Sequence, residues 1–178
     1  MIDILIYVAI ALVLVVAALL AYAAAKPDAF SVQRSTGINA PAERIFPLIA
    51  NLKSMNTWNP FVEPDPAIKI AYNGPDSGRG AAHTWSGNSK VGEGRIEITD
   101  AAPSSRVAMR LDMHKPMKAH NAVEFTLAPN GNTTTVTWAM SGRQPFMAKL
   151  MTVFIDCDRM VGSQFEKGLG KLKAIAEA

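Results

Sequence analysis

The chain has a single cysteine, Cys157, among its 178 residues. One cysteine excludes an internal disulfide and any metal cluster built on cysteine. Histidine is also scarce, with three residues, and the lysines and arginines that give a net charge of +3 are scattered. Without a basic run or aromatic residues placed among the cations, the sequence gives little support to nucleic-acid binding.

Charge is missing altogether from residues 4–25. As a helix this segment extends about 33 Å, against about 30 Å for the hydrocarbon core of a bilayer. We therefore predict a single-pass membrane anchor at residues 1–25. The alternative is a cleaved signal peptide, since small residues at 21–25 resemble a cleavage site. The residues before the apolar run carry no positive charge, and the run exceeds a typical signal-peptide core, which favours the anchor.

The orientation of this anchor depends on two charges. No lysine or arginine precedes the apolar segment, whereas Lys26 and Arg34 follow it. The positive-inside rule then places the C-terminal part of the chain in the cytoplasm. A difference of only two charges does not decide on which side of the membrane the C-terminal part lies.

Residues 26–29 form a predicted linker, and a single domain is expected over residues 30–178. Alternating apolar positions predict strands at 30–38, 68–72, 81–86, 91–99, 105–113, 117–128 and 133–141. Two short helices are expected after the first strand, from Pro41 and over Leu52 to Trp58, and Pro47 conflicts with the first of them. Short turns between the strands favour an antiparallel sheet and an α+β fold.

The last stretch, Gln144 to Ala178, predicts one long amphipathic helix. Its apolar stripe contains Leu150, Phe154, Cys157, Val161, Phe165, Leu169, Leu172 and Ala176. A stripe of this length requires a cover, and a curved sheet wrapped round the helix supplies one. Gly162, Gly168 and Gly170 oppose the prediction, because each costs about 1 kcal/mol relative to alanine in a helix.

Six short motifs, in this order, resemble those of one known superfamily. They are Arg34-Ser35; Ile38-Asn39-Ala40-Pro41 leading to Phe46; Trp58-Asn59-Pro60-Phe61; Trp85-Ser86-Gly87 with Gly92-x-Gly94; Thr135-Val136-Thr137-Trp138-x-Met140; and Phe165-x-x-Gly168-Leu169-x-x-Leu172-Lys173. The region from Phe30 to Ala178 thus resembles the START-like helix-grip (SRPBCC) superfamily, and especially its polyketide cyclase/dehydrase and lipid-transport branch. Pro47 departs from the usual unbroken first helix.

The resemblance implies a helix-grip fold with a deep cavity between the curved sheet and the long helix. Members hold lipids, sterols, polyketides or other apolar molecules there. Some members are enzymes and many are carriers, so the fold by itself leaves the function open.

Large apolar and thioether side chains on the predicted inner faces are the candidates for lining this cavity. Together with two polar residues, the predicted ligand-binding set is Trp58, Phe61, His83, Trp85, Met109, Met113, Phe125, Trp138, Met140, Met151, Phe154 and Asp158. For each apolar member the alternative is that it simply fills the core.

His83 shares the strand face of Trp85 and should therefore point inward, and we expect Asp158 on the helix to face it. The pair has three interpretations. It is a general acid/base pair for cyclisation or dehydration, a polar anchor for a ligand headgroup, or a buried pair that only satisfies its own hydrogen bonds. We favour the last two over the acid/base pair, since no second acid or nucleophile is evident.

Methionine and histidine also cluster around one hairpin, at Met109, Met113, His114, Met117 and His120. Such residues bind copper(I), but Met109 and Met113 should point inward while His114 points outward.

Two glycine pairs, Gly78-x-Gly80 and Gly92-x-Gly94, do not open a helix after a strand, as a phosphate-binding loop requires. We expect neither a metal nor a cofactor.

The leading hypothesis is a membrane-anchored protein that binds a hydrophobic small molecule such as a lipid, quinone or polyketide-like compound. One alternative is a cyclase or dehydratase for an apolar substrate. The other is a protein-interaction module like the chaperone-activator branch of the fold, which would have a filled cavity.

Overall fold

The computed structural model describes residues 2–178, with side chains from residue 4 onward. It contains five helices and seven strands in the order α1 (Ile2–Ala25), β1 (Ala29–Ile38), α2 (Ala42–Ala50), α3 (Leu52–Met55), β2 (Lys69–Asn73), β3 (Ala82–Ser86), β4 (Glu93–Ala102), β5 (Arg106–Lys115), β6 (Ala119–Asn130), β7 (Thr133–Arg143), α4 (Phe146–Met151) and α5 (Cys157–Glu177). The α+β fold class is confirmed. Each predicted strand boundary lies within three residues of the observed one.

The seven strands form one antiparallel sheet in the order β1-β7-β6-β5-β4-β3-β2. β1 therefore closes onto β7, the last strand of the chain, while the remaining strands follow one another as hairpins. Helix α5 covers the inner face of this sheet, as the helix-grip prediction requires. Irregular register between Ile98 and Asp100 adds a bulge in β4, of the kind that increases local twist.

The core lies between α5 and the inner face of the sheet. Its strand residues include Ile98, Val107, Phe125 and Val136, all fully buried. From the helix come Phe165, Leu169, Leu172 and Ala176, which belong to the predicted apolar stripe. The alternation in β5, β6 and β7 predicted the inward faces correctly, because successive strand side chains point to opposite sides.

The prediction of one helix from Gln144 to Ala178 is wrong. The segment divides into α4 and α5, and residues 152–156 between them are not helical. The side chain of Asp156 accepts a hydrogen bond from the Arg159 backbone N–H and starts α5 as its N-cap. Phe154, which the periodicity placed on the buried stripe, is 73% exposed.

Helices α2 and α3 correspond to the two short helices that were predicted after the first strand. α2 passes through Pro47 and ends at Ala50, and α3 ends at Met55 instead of reaching Trp58. Trp58 is fully buried and its indole N–H donates to the carbonyl of Leu48 at 2.9 Å. Ending α3 early turns this side chain into the core.

Two glycines of α5 mark close approaches. A Cβ on Gly168 would lie 2.8 Å from Cζ3 of Trp138 and 3.0 Å from Cδ of Pro60. A Cβ on Gly162 would overlap the guanidinium of Arg34, whereas Gly170 faces open space. Gly162 and Gly168 thus lie where α5 approaches another side chain closely, whereas Gly170 does not.

Helix α1 stands apart from this core. Its segment Ile4–Ala25 is long and apolar enough to cross a membrane, and almost all of its side chains are exposed. α1 contacts α4, and Lys26 after its end donates to the carbonyl of Thr152 at 2.6 Å. Lys149, itself buried, pairs with Asp28 of the following linker.

The register of β1 defines the two ends of the sheet. Ala29 pairs with Arg143 at the end next to α1, which we call the α1 end. Ile38 pairs with Thr134 at the opposite end, which we call the far end. At about 3.3 Å per residue the two ends are separated by about 30 Å.

We expect Gly168→Ala to lower the free energy of unfolding by about 1–3 kcal/mol. The added methyl group must displace the buried Trp138 ring, and this cost exceeds the gain of about 1 kcal/mol from replacing a helix glycine. Gly170→Ala is the matched control and should be stabilising, because its methyl group meets only open space. Denaturant unfolding followed by near-UV circular dichroism measures both, and an equal response of the two variants would contradict the packing assigned to Gly168.

Candidate functional site

A cavity of about 280 Å³ lies between the sheet and the first turns of α5. Its sheet wall comes from β3 to β7, with Ile96, Leu111, Val123 and Met140 among the lining residues, and Val161 and Phe165 line it from the helix. Most lining groups are hydrocarbon, aromatic rings or thioethers. Such a wall suits an apolar molecule.

A loop before β2 closes one side of the cavity with Phe61, Val62 and Ile68. The buried carboxylate of Asp65 holds this loop to the β3–β4 turn, since it accepts hydrogen bonds from the backbone N–H of Ala67 at 3.0 Å and of Asn88 at 2.7 Å. The turn contributes Lys90 and Val91 to the same wall. One carboxylate thus fixes two separate segments of the rim.

The structure divides the twelve predicted ligand-binding residues into three groups. Six of them line the cavity: Phe61, His83, Trp85, Met113, Trp138 and Met140. Trp58, Met109 and Phe125 are buried in the core outside the cavity wall. Met151, Phe154 and Asp158 are exposed and do not line it. The prediction that Met151, Phe154 and Asp158 line the cavity is therefore wrong, because the helix is interrupted at residues 152–156 and α4 contacts α1.

His83 lies on β3 and is only 5% exposed. Its Nε2 is 3.4 Å from the amide nitrogen of Asn56, which donates to it and leaves the ring proton on Nδ1. Within the described residues no group lies in hydrogen-bonding geometry with Nδ1. Burial lowers the pKa of His83 from 6.5 to about 4, so the imidazole is neutral at neutral pH.

Two further polar atoms without a partner belong to residues that line the cavity. The indole Nε1 of Trp138 and the amide Oδ1 of Asn121 are both buried and unsatisfied. Buried polar groups nearly always have a hydrogen-bond partner, and leaving such a group without one costs about 1–3 kcal/mol. Together with His83 Nδ1, the cavity residues hold two free donors and one free acceptor.

The ring of Trp138 is held by four aromatic neighbours. It stacks on Phe165 with centroids 4.2 Å apart and an interplanar angle of 9°, and it meets Trp58 and Phe61 edge to face. Phe125 contacts it from the neighbouring strand at 4.9 Å. Rigid aromatic packing therefore holds its unpartnered N–H in place.

The expected His83–Asp158 pair does not form. The side chain of Asp158 is 60% exposed and its carboxylate lies 2.8 Å from the guanidinium of Arg34 on β1. Arg34 also binds Glu166 at 2.9 Å. The hydrogen bond that Arg34 donates to Asp158 holds the pKa of this carboxylate below its usual value. Gly162 provides the room for this guanidinium against α5. Asp158 thus belongs to a surface ion-pair cluster and not to the cavity.

Sequence reasoning missed several cavity residues. Asn121 has the same strand parity as Val123 and Phe125, so its inward direction was readable from the alternation. Its amide has room because the facing residue is Gly142, where a Cβ would overlap Oδ1. For Val62 the sequence carries no periodic signal, since it lies in an irregular loop.

Within the described part of the chain, no group of three or more His, Cys, Asp or Glu side chains is placed to hold a metal ion. Met113 lines the cavity, whereas His114 is exposed, as strand parity predicts. His120 is also exposed and its Nδ1 lies 2.7 Å from Asp112.

Comparison with solved structures identifies many relatives of this fold. Protein CV1439 from Chromobacterium violaceum shares 14% identity, with 86% of this chain and 99% of that chain covered and a TM-score of 0.59. Protein MLL2253 from Mesorhizobium loti shares 15% identity over 82% and 95%, with a TM-score of 0.60. The Aha1 dimer from Colwellia psychrerythraea shares 17% over 83% and 96%, with a TM-score of 0.58. At these identities the likeness concerns the fold alone.

No curated protein sequence matches the chain at a significant level. The family model described as polyketide cyclase/dehydrase and lipid transport matches residues 29–177, which is nearly the whole chain after α1. This match agrees with the SRPBCC-type helix-grip architecture and with the order of the short motifs. The chain therefore belongs to the polyketide cyclase/dehydrase and lipid transport family.

Proposed function

We propose that the domain binds an apolar small molecule carrying one or more oxygen atoms, such as a lipid, quinone or polyketide-like compound. The observation that carries the proposal is the apolar cavity of about 280 Å³ whose lining residues hold three unpartnered polar atoms. Ligand sites are mostly apolar and contain a few placed polar groups. Carbonyl or hydroxyl oxygens of the ligand would satisfy the donors on His83 and Trp138.

We infer further that α1 is an uncleaved anchor and that the chain is a single-pass membrane protein. Residues 1–25 form the anchor, residues 26–29 the linker and residues 30–178 the binding domain. The contacts of Lys26 with Thr152 and of Asp28 with Lys149 support this division, since the linker is folded onto the domain. The cytoplasmic location of the domain stays a prediction from two charges.

The binding function fits the site better than either alternative. An acid/base mechanism through His83 and Asp158 loses its second group to the Arg34 ion pair. A protein-interaction module was expected to have a filled cavity, and the space beside Trp85, Met113 and Met140 argues against it.

We expect an apolar molecule to accompany the purified full-length protein, observable as a mass adduct in native mass spectrometry and in an organic extract. Met113→Trp combined with Met140→Trp places two indoles in the cavity and should remove most of the adduct. Ile175→Trp, on the exposed surface of α5 at the far end, is the matched control and should keep it. An adduct unchanged by cavity filling would place the bound molecule elsewhere.

We expect His83→Phe to weaken binding of an oxygen-bearing probe selectively. Naphthol and methylnaphthalene differ by a hydroxyl against a methyl group, so they separate the polar contact from apolar burial. Loss of one hydrogen bond corresponds to about a tenfold weaker naphthol affinity, with methylnaphthalene unchanged. Tryptophan fluorescence of the full chain in nanodiscs of one composition reports both affinities. Equal losses for both probes would argue against a polar role of His83.

The lowered pKa of His83 predicts a loss of stability in acid. Above pH 6.5 the imidazole is neutral in the folded and unfolded chains. Between pH 6.5 and about 4 the unfolded chain gains a proton that the folded chain does not. This difference removes about 3 kcal/mol of the free energy of unfolding. His83→Phe should lack this part of the pH dependence in denaturant unfolding, and an identical profile for both proteins would contradict the burial of a neutral imidazole.

A further inference from the structure

The segment between β7 and the second turn of α5 exposes six large apolar side chains. They are Phe146, Met147, Met151, Phe154, Ile155 and Met160, and they are 41% to 73% exposed. We call this set the apolar band. Large apolar side chains exposed together in one short segment indicate an interaction site on a folded protein.

The apolar band is attached to the end of α1. Helices α1 and α4 are in contact, and from residue 4 to residue 25 only Leu19 and Ala23 lose exposure. These two residues are four apart, so they lie on one face of α1. Beyond the helix, the backbone N–H of Gln144 donates to the carbonyl of Asp28 at 2.7 Å, and Lys26 holds Thr152.

This attachment fixes the depth of α4. Leu19 precedes the last residue of α1 by six positions, or about 9 Å along the helix axis. Amphipathic helices that lie in a membrane interface bury their apolar face about 5–10 Å into the boundary between headgroups and acyl chains. A segment packed against Leu19 and Ala23 of a spanning helix lies at this level.

We propose that the apolar band inserts into the membrane leaflet at the C-terminal end of α1, as a second membrane contact beside the anchor. This inference rests on the anchor proposed above. The partner is a lipid bilayer, because the band belongs to a segment that contacts α1, and the apolar side chains of α1 are themselves exposed. Arg143, which pairs with Ala29, and Lys118, which directly precedes β6, are exposed cations at the α1 end and suit anionic lipid headgroups.

The second contact orients the cavity. Met113, Asn121 and Met140 line the cavity near the ends of their strands at the α1 end of the sheet. Val161, also in the cavity wall, directly follows Met160 of the band. With the band inserted, the cavity faces the bilayer surface, and an apolar ligand passes between lipid and protein with little exposure to water.

Depth-dependent fluorescence quenching of the full chain in vesicles tests this proposal. All variants carry Cys157→Ser, and single labelling sites are introduced as Phe154→Cys or Met147→Cys in the band, Leu14→Cys in α1 and Ile175→Cys at the far end. Each protein carries an environment-sensitive label and is placed in phosphatidylcholine/phosphatidylglycerol vesicles with or without bromine on the acyl chains. We expect the labels at 14, 147 and 154 to be shifted to the blue and to lose most of their fluorescence with brominated lipid, and the label at 175 to do neither.

Each other outcome overturns the proposal in a distinguishable way. Quenching at position 14 without quenching at 147 and 154 leaves the anchor in place and removes the second membrane contact. Absence of quenching at all positions removes the anchor as well. A blue shift at 154 without quenching by brominated lipid means that protein covers the band, either a second copy of this chain or another partner.

Discussion

The stacking of Phe165 on Trp138 is the contact on which the rest of the domain depends. It joins the middle of α5 to β7, the strand that also closes the sheet onto β1. Gly168 permits this contact, since any side chain there would displace the indole. Below it, Leu169 and Leu172 continue the core toward the far end of the sheet. The helix is thereby fixed to the sheet along its second half.

The cavity exists because the side chains of α5 pack closely against the inner face of the sheet only from Phe165 onward. Toward the α1 end the helix presents Val161 and then begins, at Asp156, on the surface. Arg34 holds this first part through Asp158 and Glu166. Exposed ion pairs of this kind contribute little stability, so they orient the helix more than they stabilise it. The space left beside Trp138 is closed by the loop that Asp65 holds.

The sequence predicted the sheet well and the site only in part. Alternation in β5, β6 and β7 gave the inward faces, because strand geometry assigns every second side chain to the same side. The same rule could have found Asn121. It could not separate Phe125, which fills the core, from Met140, which lines the cavity, since both point inward. Helical periodicity extended through residues 152–156 because the pattern of apolar positions does not reveal the turn there or the new helix that Asp156 caps.

The amino-acid sequence by itself determined the apolar segment at residues 4–25, the order of the strands and the family, since these depend on local pattern and composition. Only the tertiary structure decided which inward residues surround empty space and which polar atoms lack partners. It also decided that Asp158 pairs with Arg34 instead of His83, and that α4 packs against α1 instead of covering the cavity. These outcomes depend on contacts between residues more than a hundred positions apart, which no local pattern specifies.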